Sequence, residues 1–230
     1  MKRIGILGGT TPESTVTYYR RITREYVRRF GDHSYPEILI CSVSFQRFVD
    51  WMRAGDWGAL AGAAAAELRT LAAAGADVGL LATNTFHKVF DEIAASVPIP
   101  LISILDIVAG RLDELGCRRA GLLGTQFTMD GAFYPDRLSR EGIETVVPAP
   151  AERETIDRII FDELSRGVTT VESKAVMIGM AERLVADEGA DAVILGCTEL
   201  PLLVADGDVS VPVLDSTVLH ADAALAEALG

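Results

Sequence analysis

Two short segments of the chain repeat each other and end on different reactive residues. Residues 75–83 read GADVGLLAT, and residues 189–197 read GADAVILGC, 114 positions later. Each segment is typical of a helix end followed by a buried strand, with one polar residue at the carboxyl tip of that strand. The hydroxyl of Thr83 and the thiol of Cys197 can both donate a proton, and a thiolate can also accept one. If the two halves face each other, the two groups would reach opposite faces of one small molecule.

Cys197 has the stronger case for chemistry. It stands in the sequence Gly196-Cys197-Thr198-Glu199, at an expected junction between a strand and a helix. A helix N-terminus lowers the pKa of a thiol from about 8.5 towards neutrality, which predicts a thiolate able to act as base or nucleophile. The alternative is a small buried hydrophobic residue. Glu199 would complement the helix dipole and could orient a neighbouring polar group.

Further polar residues follow other predicted strands. In open parallel sheets, ligands bind outside the carboxyl ends of the strands. The candidates for hydrogen bonding to a substrate there are Thr10, Asn84, Thr85, Thr125 and Thr198. His87 follows Asn84 and Thr85 on the first turn of the expected helix, where it is either a supporting or a surface residue. Arg47 is either a surface residue or a bidentate partner of a substrate carboxylate.

Short apolar runs alternate with helical patterns along the chain. Eight runs are predicted to be strands: 3–8, 37–43, 78–82, 100–104, 120–123, 145–147, 192–195 and 211–214. Seven stretches are predicted to be helices: 13–29, 57–74, 104–115, 128–140, 152–165, 172–188 and 217–229. This alternation predicts an α/β fold with parallel sheets, and the almost wholly apolar strands predict sheets that are covered on both faces.

The repeat extends beyond its first motif. Residues 3–10 match 119–125, and residues 97–102 match 209–214, in the same order and at nearly the same offset. We therefore predict two similar α/β halves, 1–105 plus 212–230 and 106–211, with the last strand and helix packing back on the first half. The alternative is that glycine-rich apolar strands recur in any parallel α/β protein.

Composition excludes several classes of protein. The chain has 230 residues, of which 49% are hydrophobic, and a net charge of −12, which disfavours nucleic acid and anionic membranes as partners. No apolar run is long enough for a membrane span, and the first residues are typical of a strand and not of a signal peptide. Three widely spaced cysteines without a CxxC motif disfavour a disulfide framework or a metal site, and we expect a cytoplasmic location. The first loop fits neither the dinucleotide fingerprint nor a P-loop.

Three motifs resemble those of the aspartate/glutamate racemase family, the cofactor-independent amino-acid racemases. Residues 4–15 are similar to its opening Gly-Gly-x-x-x-x-Ser-Thr signature, 83–87 to its Cys-Asn-Thr-x-His motif, and 196–199 to its second cysteine motif. The resemblance covers essentially the whole chain. It implies two pseudo-symmetric Rossmann-like halves, each with a mostly parallel sheet flanked by helices, with the active site between them. It also implies that no cofactor is needed and, because the family is often dimeric, a homodimer.

The resemblance implies a specific function, and the chain departs from the family at one position. In the family, two cysteines act as acid and base on opposite faces of the α-carbon, whereas here Thr83 replaces the first cysteine. A similar subgroup with Thr and Cys is described as specific for the L-enantiomers of aspartate and glutamate. The resemblance thus implies a PLP-independent racemase of L-aspartate and/or L-glutamate, with Cys197 as base and Thr83 as the donor on the opposite face. Arg47, with Gln46 beside it, is the candidate for the family's arginine contact.

The supporting residues follow from the same mechanism. Oriented N–H and hydroxyl donors must stabilise the carbanion at the α-carboxylate. The residues placed to do so are Asn84, Thr85, Thr125 and Thr198, with His87 and Glu199 behind them. Two alternatives remain open: an arylmalonate-type decarboxylase with a single catalytic cysteine, and an acidic amino-acid binder that has lost catalysis.

Overall fold

The computed structural model describes all 230 residues. The chain divides into two compact units, Met1–Ile104 with His220–Gly230, and Leu105–Leu219. Each unit contains one four-stranded parallel sheet with flanking helices, so the predicted α/β fold class is confirmed. None of the helices is both long enough and apolar enough to cross a membrane.

The first unit holds the first four strands. Its elements are β1 (Ile4–Gly8), α1 (Pro12–Phe30), β2 (Ile38–Ser42), α2 (Phe45–Ala54), α3 (Trp57–Ala73), β3 (Val78–Leu81), a 3₁₀ helix (Thr85–Val89), α4 (Phe90–Ala95) and β4 (Leu101–Ile102). The strand order is β2-β1-β3-β4, and every neighbouring pair is parallel. The carboxyl ends of β1 and β3, which lie side by side, therefore open at the same edge of the sheet.

The second unit repeats this order. Its elements are α5 (Ile104–Glu114), β5 (Arg119–Leu123), α6 (Gln126–Met129), α7 (Phe133–Ser139), β6 (Glu144–Val146), α8 (Pro150–Arg158), a π-helix (Ile159–Glu163), a 3₁₀ turn (Leu164–Arg166), α9 (Val171–Ala186), β7 (Ala192–Leu195), a second 3₁₀ turn (Leu200–Leu202) and β8 (Val213–Asp215). The last helix, α10 (Ser216–Leu229), begins in this unit, and its residues from His220 onward belong to the first. The strand order is β6-β5-β7-β8, all parallel. Each strand of the first sheet thus has a counterpart in the same place in the second.

Local signals explain the turn that follows β1. Gly9 has φ +82°, and a Cβ at this position would lie 2.4 Å from the backbone of Val43, so the turn needs glycine. Thr11 then caps α1, because its hydroxyl accepts a hydrogen bond from the backbone N–H of Ser14 at 3.2 Å. Pro12 occupies the first turn of the helix, where its missing N–H costs nothing. The chain is therefore directed from the tip of β1 straight into α1.

Each unit has its own apolar core. In the first unit, Ile4, Ile6 and Leu80 of the sheet pack with Tyr18 and Ile22 of α1 and with alanines of α10. In the second, Val193 and Leu195 pack with side chains of α8, α9 and the π-helix. Burial on both faces agrees with the almost wholly apolar strands.

The structure corrects two predicted elements and adds two helices that were not predicted. The last strand does not join the first half from residue 212 as expected, because Val213, Leu214 and Asp215 pair with β7 in the second sheet. Only the chain from His220 onward, within α10, groups with the first unit. The predicted helix 128–140 is two short helices, α6 and α7, and neither α2 nor α4 was predicted.

Candidate active site

In the first unit, two hydroxyls join the loop after β1 to the loop after β3. Thr10 Oγ1 donates to the carbonyl of Ala82 at 3.0 Å, and Ser14 Oγ donates to the same oxygen at 2.8 Å. Both hydroxyl residues are buried. Thr10 was expected to bind substrate, but its hydrogen is directed at the main chain just before Thr83.

Thr83 lies two residues beyond the end of β3 and is half-buried. Its backbone carbonyl accepts a hydrogen bond from His87 Nδ1 at 2.9 Å. Its own hydroxyl makes no hydrogen bond within the chain. The hydroxyl of Thr83 is therefore free within the chain, while the main chain that carries it is held.

His87 is a neutral structural group and does not exchange protons near neutral pH. Its Nε2 accepts from the backbone N–H of Ile104 at 3.0 Å, so the ring hydrogen must be on Nδ1, which faces Thr83. Burial lowers the pKa of His87 to about 3, and the neighbouring His220 adds to the lowering. The sequence left a supporting or a surface position open for His87, and in the structure the residue is buried and donates to the Thr83 carbonyl.

Asn84 and Thr85 continue the loop into the 3₁₀ helix. Asn84 is buried and its carbonyl accepts from the backbone N–H of His87 at 3.0 Å, whereas Thr85 is half-buried. Phe86, the next residue, is fully buried and stacks on Phe48 of α2 with a ring-centroid distance of 5.1 Å. The unpredicted helix α2 therefore packs against the loop that follows Thr83.

Arg47 and Gln46 are exposed on α2. The guanidinium of Arg47 lies 4.9 Å from the ring centroid of Trp51, a cation–π arrangement, and Gln46 Nε2 donates to Asp50 at 2.8 Å. Neither side chain hydrogen-bonds to the Thr83 loop. The structure thus leaves Arg47 on a helix beside the loop, with its charge on an aromatic surface.

In the second unit, Cys197 and Glu199 form a buried pair after β7. The Cys197 thiol donates to Glu199 Oε2 at 3.0 Å, and the hydroxyl of Thr198 donates to the same oxygen at 2.7 Å. Glu199 is only 3% exposed, and its other oxygen, Oε1, is buried with no hydrogen-bond partner. One oxygen of this buried carboxylate thus accepts two hydrogen bonds, and the other accepts none.

The expectation of a lowered thiol pKa at Cys197 is wrong. Only the three-residue 3₁₀ turn Leu200–Leu202 follows the motif, so no full helix N-terminus faces the sulfur. Burial raises the pKa of Cys197 well above its usual value, and the charge of Glu199 raises it further. The resting group is therefore a thiol that keeps its proton and donates a hydrogen bond to Glu199.

The loop after β5 lies beside the Cys197 loop. The backbone N–H of Gly196 donates to the carbonyl of Leu123 at 2.7 Å, which joins the two loops. Thr125, half-buried at the start of α6, is 3.2 Å from the hydroxyl of Thr128. Within this unit, Thr125, Cys197, Thr198 and Glu199 thus lie at the carboxyl ends of the neighbouring strands β5 and β7.

Sequence reasoning missed several buried polar residues at the same strand ends. Ser14 supports the Ala82 carbonyl, and Ser216 Oγ donates to the carbonyl of Leu195 at 2.7 Å. His220 is 2.8 Å from the hydroxyl of Tyr18, and burial lowers its pKa to about 4. The only signal for Ser14 was its place in the opening motif. No group of three or more His, Cys, Asp or Glu side chains is arranged to hold a metal ion.

Known proteins match the chain over nearly its whole length. Residues 7–224 match the Asp/Glu/hydantoin racemase family. The broad specificity amino-acid racemase RacX of Bacillus subtilis is 24% identical over 217 residues, covering 93% of this chain and 92% of that protein.

Two solved structures agree in fold and in sequence. A crystal structure described as a putative Asp/Glu racemase from Yersinia pestis is 38% identical with a TM-score of 0.92. An aspartate racemase homologue from Pyrococcus horikoshii is 40% identical with a TM-score of 0.87, and in both cases all of each chain is covered. The chain therefore belongs to the Asp/Glu/hydantoin racemase family and is a racemase, an enzyme of the isomerase class.

Proposed function

We propose that this protein racemises L-aspartate, L-glutamate or both without a cofactor, with Cys197 as the base and Thr83 as the proton donor on the opposite face of the α-carbon. The observation that carries the proposal is the Cys197 thiol at the tip of β7, 3.0 Å from a buried carboxylate oxygen of Glu199. A thiol with an adjacent proton acceptor can become a base without contact with bulk water.

The proton steps balance within this pair. The Cys197 S–H bond breaks and its proton passes to Glu199 Oε2, leaving a thiolate. The thiolate then takes the α-proton of the L-substrate, and the electron pair of the C–H bond moves into the α-carboxylate. The Thr83 hydroxyl delivers a proton to the other face, and water returns one to Thr83. Glu199 releases its proton to solvent and the pair is restored.

The carbanion needs stabilisation because an amino-acid α-carbon is a very weak acid. Donors placed where charge develops supply such stabilisation in a preorganised site. Asn84 and Thr85 in one loop and Thr125 and Thr198 in the other are the residues that we assign to this role. The Thr198 hydroxyl already donates to Glu199, so its backbone N–H is the group left for substrate. Arg47, with Gln46 beside it, would bind the second carboxylate of an acidic substrate.

We expect proton removal at the two faces of the α-carbon to differ in rate. An alcohol is far less acidic than a thiol, so Thr83 can donate or relay a proton but is a poor base. We expect rapid loss of the α-hydrogen from the L-substrate and slow loss from the D-substrate at initial rates. The final L:D ratio still approaches one, because the two enantiomers have equal free energies.

The substrate class follows from the acidic amino acids named for several relatives. Aspartate and glutamate differ by one methylene, which a pocket discriminates by only about 1–3 kcal/mol. We therefore propose either amino acid or both as substrates, and the ratio of their rates decides between them.

The test follows each enantiomer in heavy water. Loss of the α-hydrogen is read by NMR, and inversion by chiral chromatography. Exchange from the L-enantiomer that is much faster than from the D-enantiomer supports the proposal, and equal exchange from both contradicts the role of Thr83. Tight binding of L-glutamate without exchange would identify a binding protein. Carbon dioxide release from a substituted malonate would identify a decarboxylase.

A further inference from the structure

Both peptide planes that meet at Thr83 are held by hydrogen bonds. On one side, the carbonyl of Ala82 accepts from Ser14 Oγ at 2.8 Å and from Thr10 Oγ1 at 3.0 Å. On the other, the carbonyl of Thr83 accepts from His87 Nδ1 at 2.9 Å. We call these three donors, Ser14, Thr10 and His87, the Thr83 clamp.

The clamp fixes the direction of the Thr83 side chain. A peptide unit is planar, so holding its carbonyl holds the whole plane. Two held planes that share the α-carbon of Thr83 also set the direction of its Cα–Cβ bond. The Thr83 hydroxyl has no hydrogen bond of its own within the chain, so nothing else in the chain directs it except the rotation about that bond.

The donors of the clamp are themselves anchored. Ser14 is 1% exposed and lies in the first turn of α1, where its backbone N–H donates to Thr11. His87 is fixed at its far nitrogen by the backbone N–H of Ile104. Two hydroxyls on one carbonyl are more than burial of that oxygen requires, since one donor already satisfies it.

We propose that Ser14 is a positioning residue, which acts with Thr10 and His87 to aim the Thr83 hydroxyl at the α-carbon. The inference rests on the proposed function of Thr83. Ser14 touches neither the substrate nor the reacting atoms in this scheme. Its effect passes through the Ala82 carbonyl to the orientation of the next residue.

This role predicts that loosening the clamp lowers the ratio of inversion to exchange. Exchange of the α-hydrogen with retention of configuration needs Cys197 and Glu199 but not Thr83, because the sulfur removes the proton, exchanges it for a deuteron through Glu199 and returns the deuteron to the same face. Inversion also needs Thr83. Loosening the clamp should therefore lower inversion while leaving exchange from the L-substrate almost unchanged. A general loss of stability would lower both rates together.

The experiment compares Ser14→Ala with the wild-type protein on L-glutamate and L-aspartate in heavy water. The ratio of inversion to exchange is expected to fall roughly tenfold, since displacement of a reacting group by about 1 Å can cost up to 100-fold in rate. Thr10→Ser keeps the second hydroxyl and should keep the ratio, whereas Thr10→Val should lower it. Thr17→Ala is the matched control, because it removes a hydroxyl from the same helix that donates to Glu13 at 2.9 Å.

The outcomes separate this inference from the proposed function. If wild-type protein inverts the substrate and both Ser14→Ala and Thr10→Val keep its ratio, the positioning role is overturned and the function stands. If wild-type protein neither exchanges nor inverts either substrate, the proposed function itself fails. Should Ser14→Ala not fold, judged by circular dichroism, the ratio in Thr10→Val alone decides.

Discussion

The loops that carry Thr83 and Cys197 follow equivalent strands, yet each holds its reactive residue differently. Around Thr83 the main chain is held and the side chain is free: the carbonyls on both sides accept hydrogen bonds, and the hydroxyl has none. At Cys197 the side chain itself is engaged, because the thiol donates to Glu199 at 3.0 Å. Under the proposed mechanism, the difference matches the two tasks. A hydroxyl that only delivers a proton needs direction, whereas a thiol that must lose and regain one needs an acceptor.

The largest effect is expected at Cys197. We expect Cys197→Ser to lower both exchange and inversion by about a thousand-fold, within the 10²–10⁴-fold range of general-base catalysis. The reason is that a serine hydroxyl does not give up its proton to Glu199 as a thiol can. NMR in heavy water measures exchange, and chiral chromatography measures inversion. Cys41→Ser is the matched control, since Cys41 also donates to a carboxylate, Glu67, at 3.1 Å. If Cys197→Ser kept its exchange rate, the thiol would not be the base, and the proposed difference between the two loops would be wrong.

Substitution of Thr83 should separate the two reactions. In Thr83→Ala we expect inversion to fall roughly 100-fold, with exchange from the L-substrate within a few-fold of wild type, because only the donor on the far face is lost. Thr83→Cys should gain exchange from the D-substrate, since it places a thiol on that face. The same two assays measure both outcomes. Equal losses of exchange and inversion in Thr83→Ala would show that the hydroxyl serves the structure and not proton delivery.

Glu199 offers a sharper test, because its removal should move two observables in opposite directions. Glu199→Gln removes the charge that helps to raise the pKa of Cys197, so alkylation of the thiol by iodoacetamide at a fixed pH should become faster. Exchange should instead fall about tenfold to 100-fold, because the amide cannot accept the thiol proton. Both rates falling together would indicate a lost fold. Unchanged exchange would remove Glu199 from the mechanism.

The smallest expected effect is on stability in acid, to which the buried histidines His87 and His220 both contribute. The pKa of His87 is about 3 in the folded chain, below its usual 6.5, so below pH 6.5 the unfolded chain binds more protons than the folded chain. The free energy of unfolding should therefore decrease as the pH falls from 6.5 towards 3, by roughly 2 kcal/mol between pH 7 and pH 5 for this one histidine.

Urea unfolding at pH 7 and pH 5 measures this decrease in the free energy of unfolding. His87→Gln should have a smaller difference between the two pH values, even if it is less stable at both. His33→Gln, at an exposed position, serves as the control and should keep the wild-type difference. An unchanged difference in His87→Gln would show that His87 does not need to be neutral in the folded chain.

Much of the fold could be predicted because its signals are local. The strand tips that carry Thr83 and Cys197 were found from a repeated apolar pattern, and all eight strands appear near their predicted places. The helix α2 was missed because only two residues separate it from β2, so that its first residues were taken for the loop after that strand. The last strand was assigned to the wrong half because a short apolar run does not say which sheet it joins. Only its pairing with β7 decides this.

The candidate site could also be predicted only in part. Residue types and spacing alone singled out Cys197, Thr83 and Glu199. They also suggested a lowered thiol pKa, which is wrong because burial and a carboxylate act on the sulfur more strongly than a three-residue turn does. Ser14 stayed hidden because a serine in the first turn of a helix is common, and nothing in the sequence says that its hydroxyl reaches a carbonyl 68 positions away.

For this chain, the order of residues alone determined the alternation of strands and helices, the internal duplication and the family, since these depend on patterns that neighbours along the chain create. Three-dimensional packing alone decided the protonation of Cys197, the tautomer of His87 and the hydrogen bonds that hold the main chain at Thr83. These properties depend on burial and on hydrogen-bond partners, which include residues far apart in the chain, so they exist only once the chain has folded.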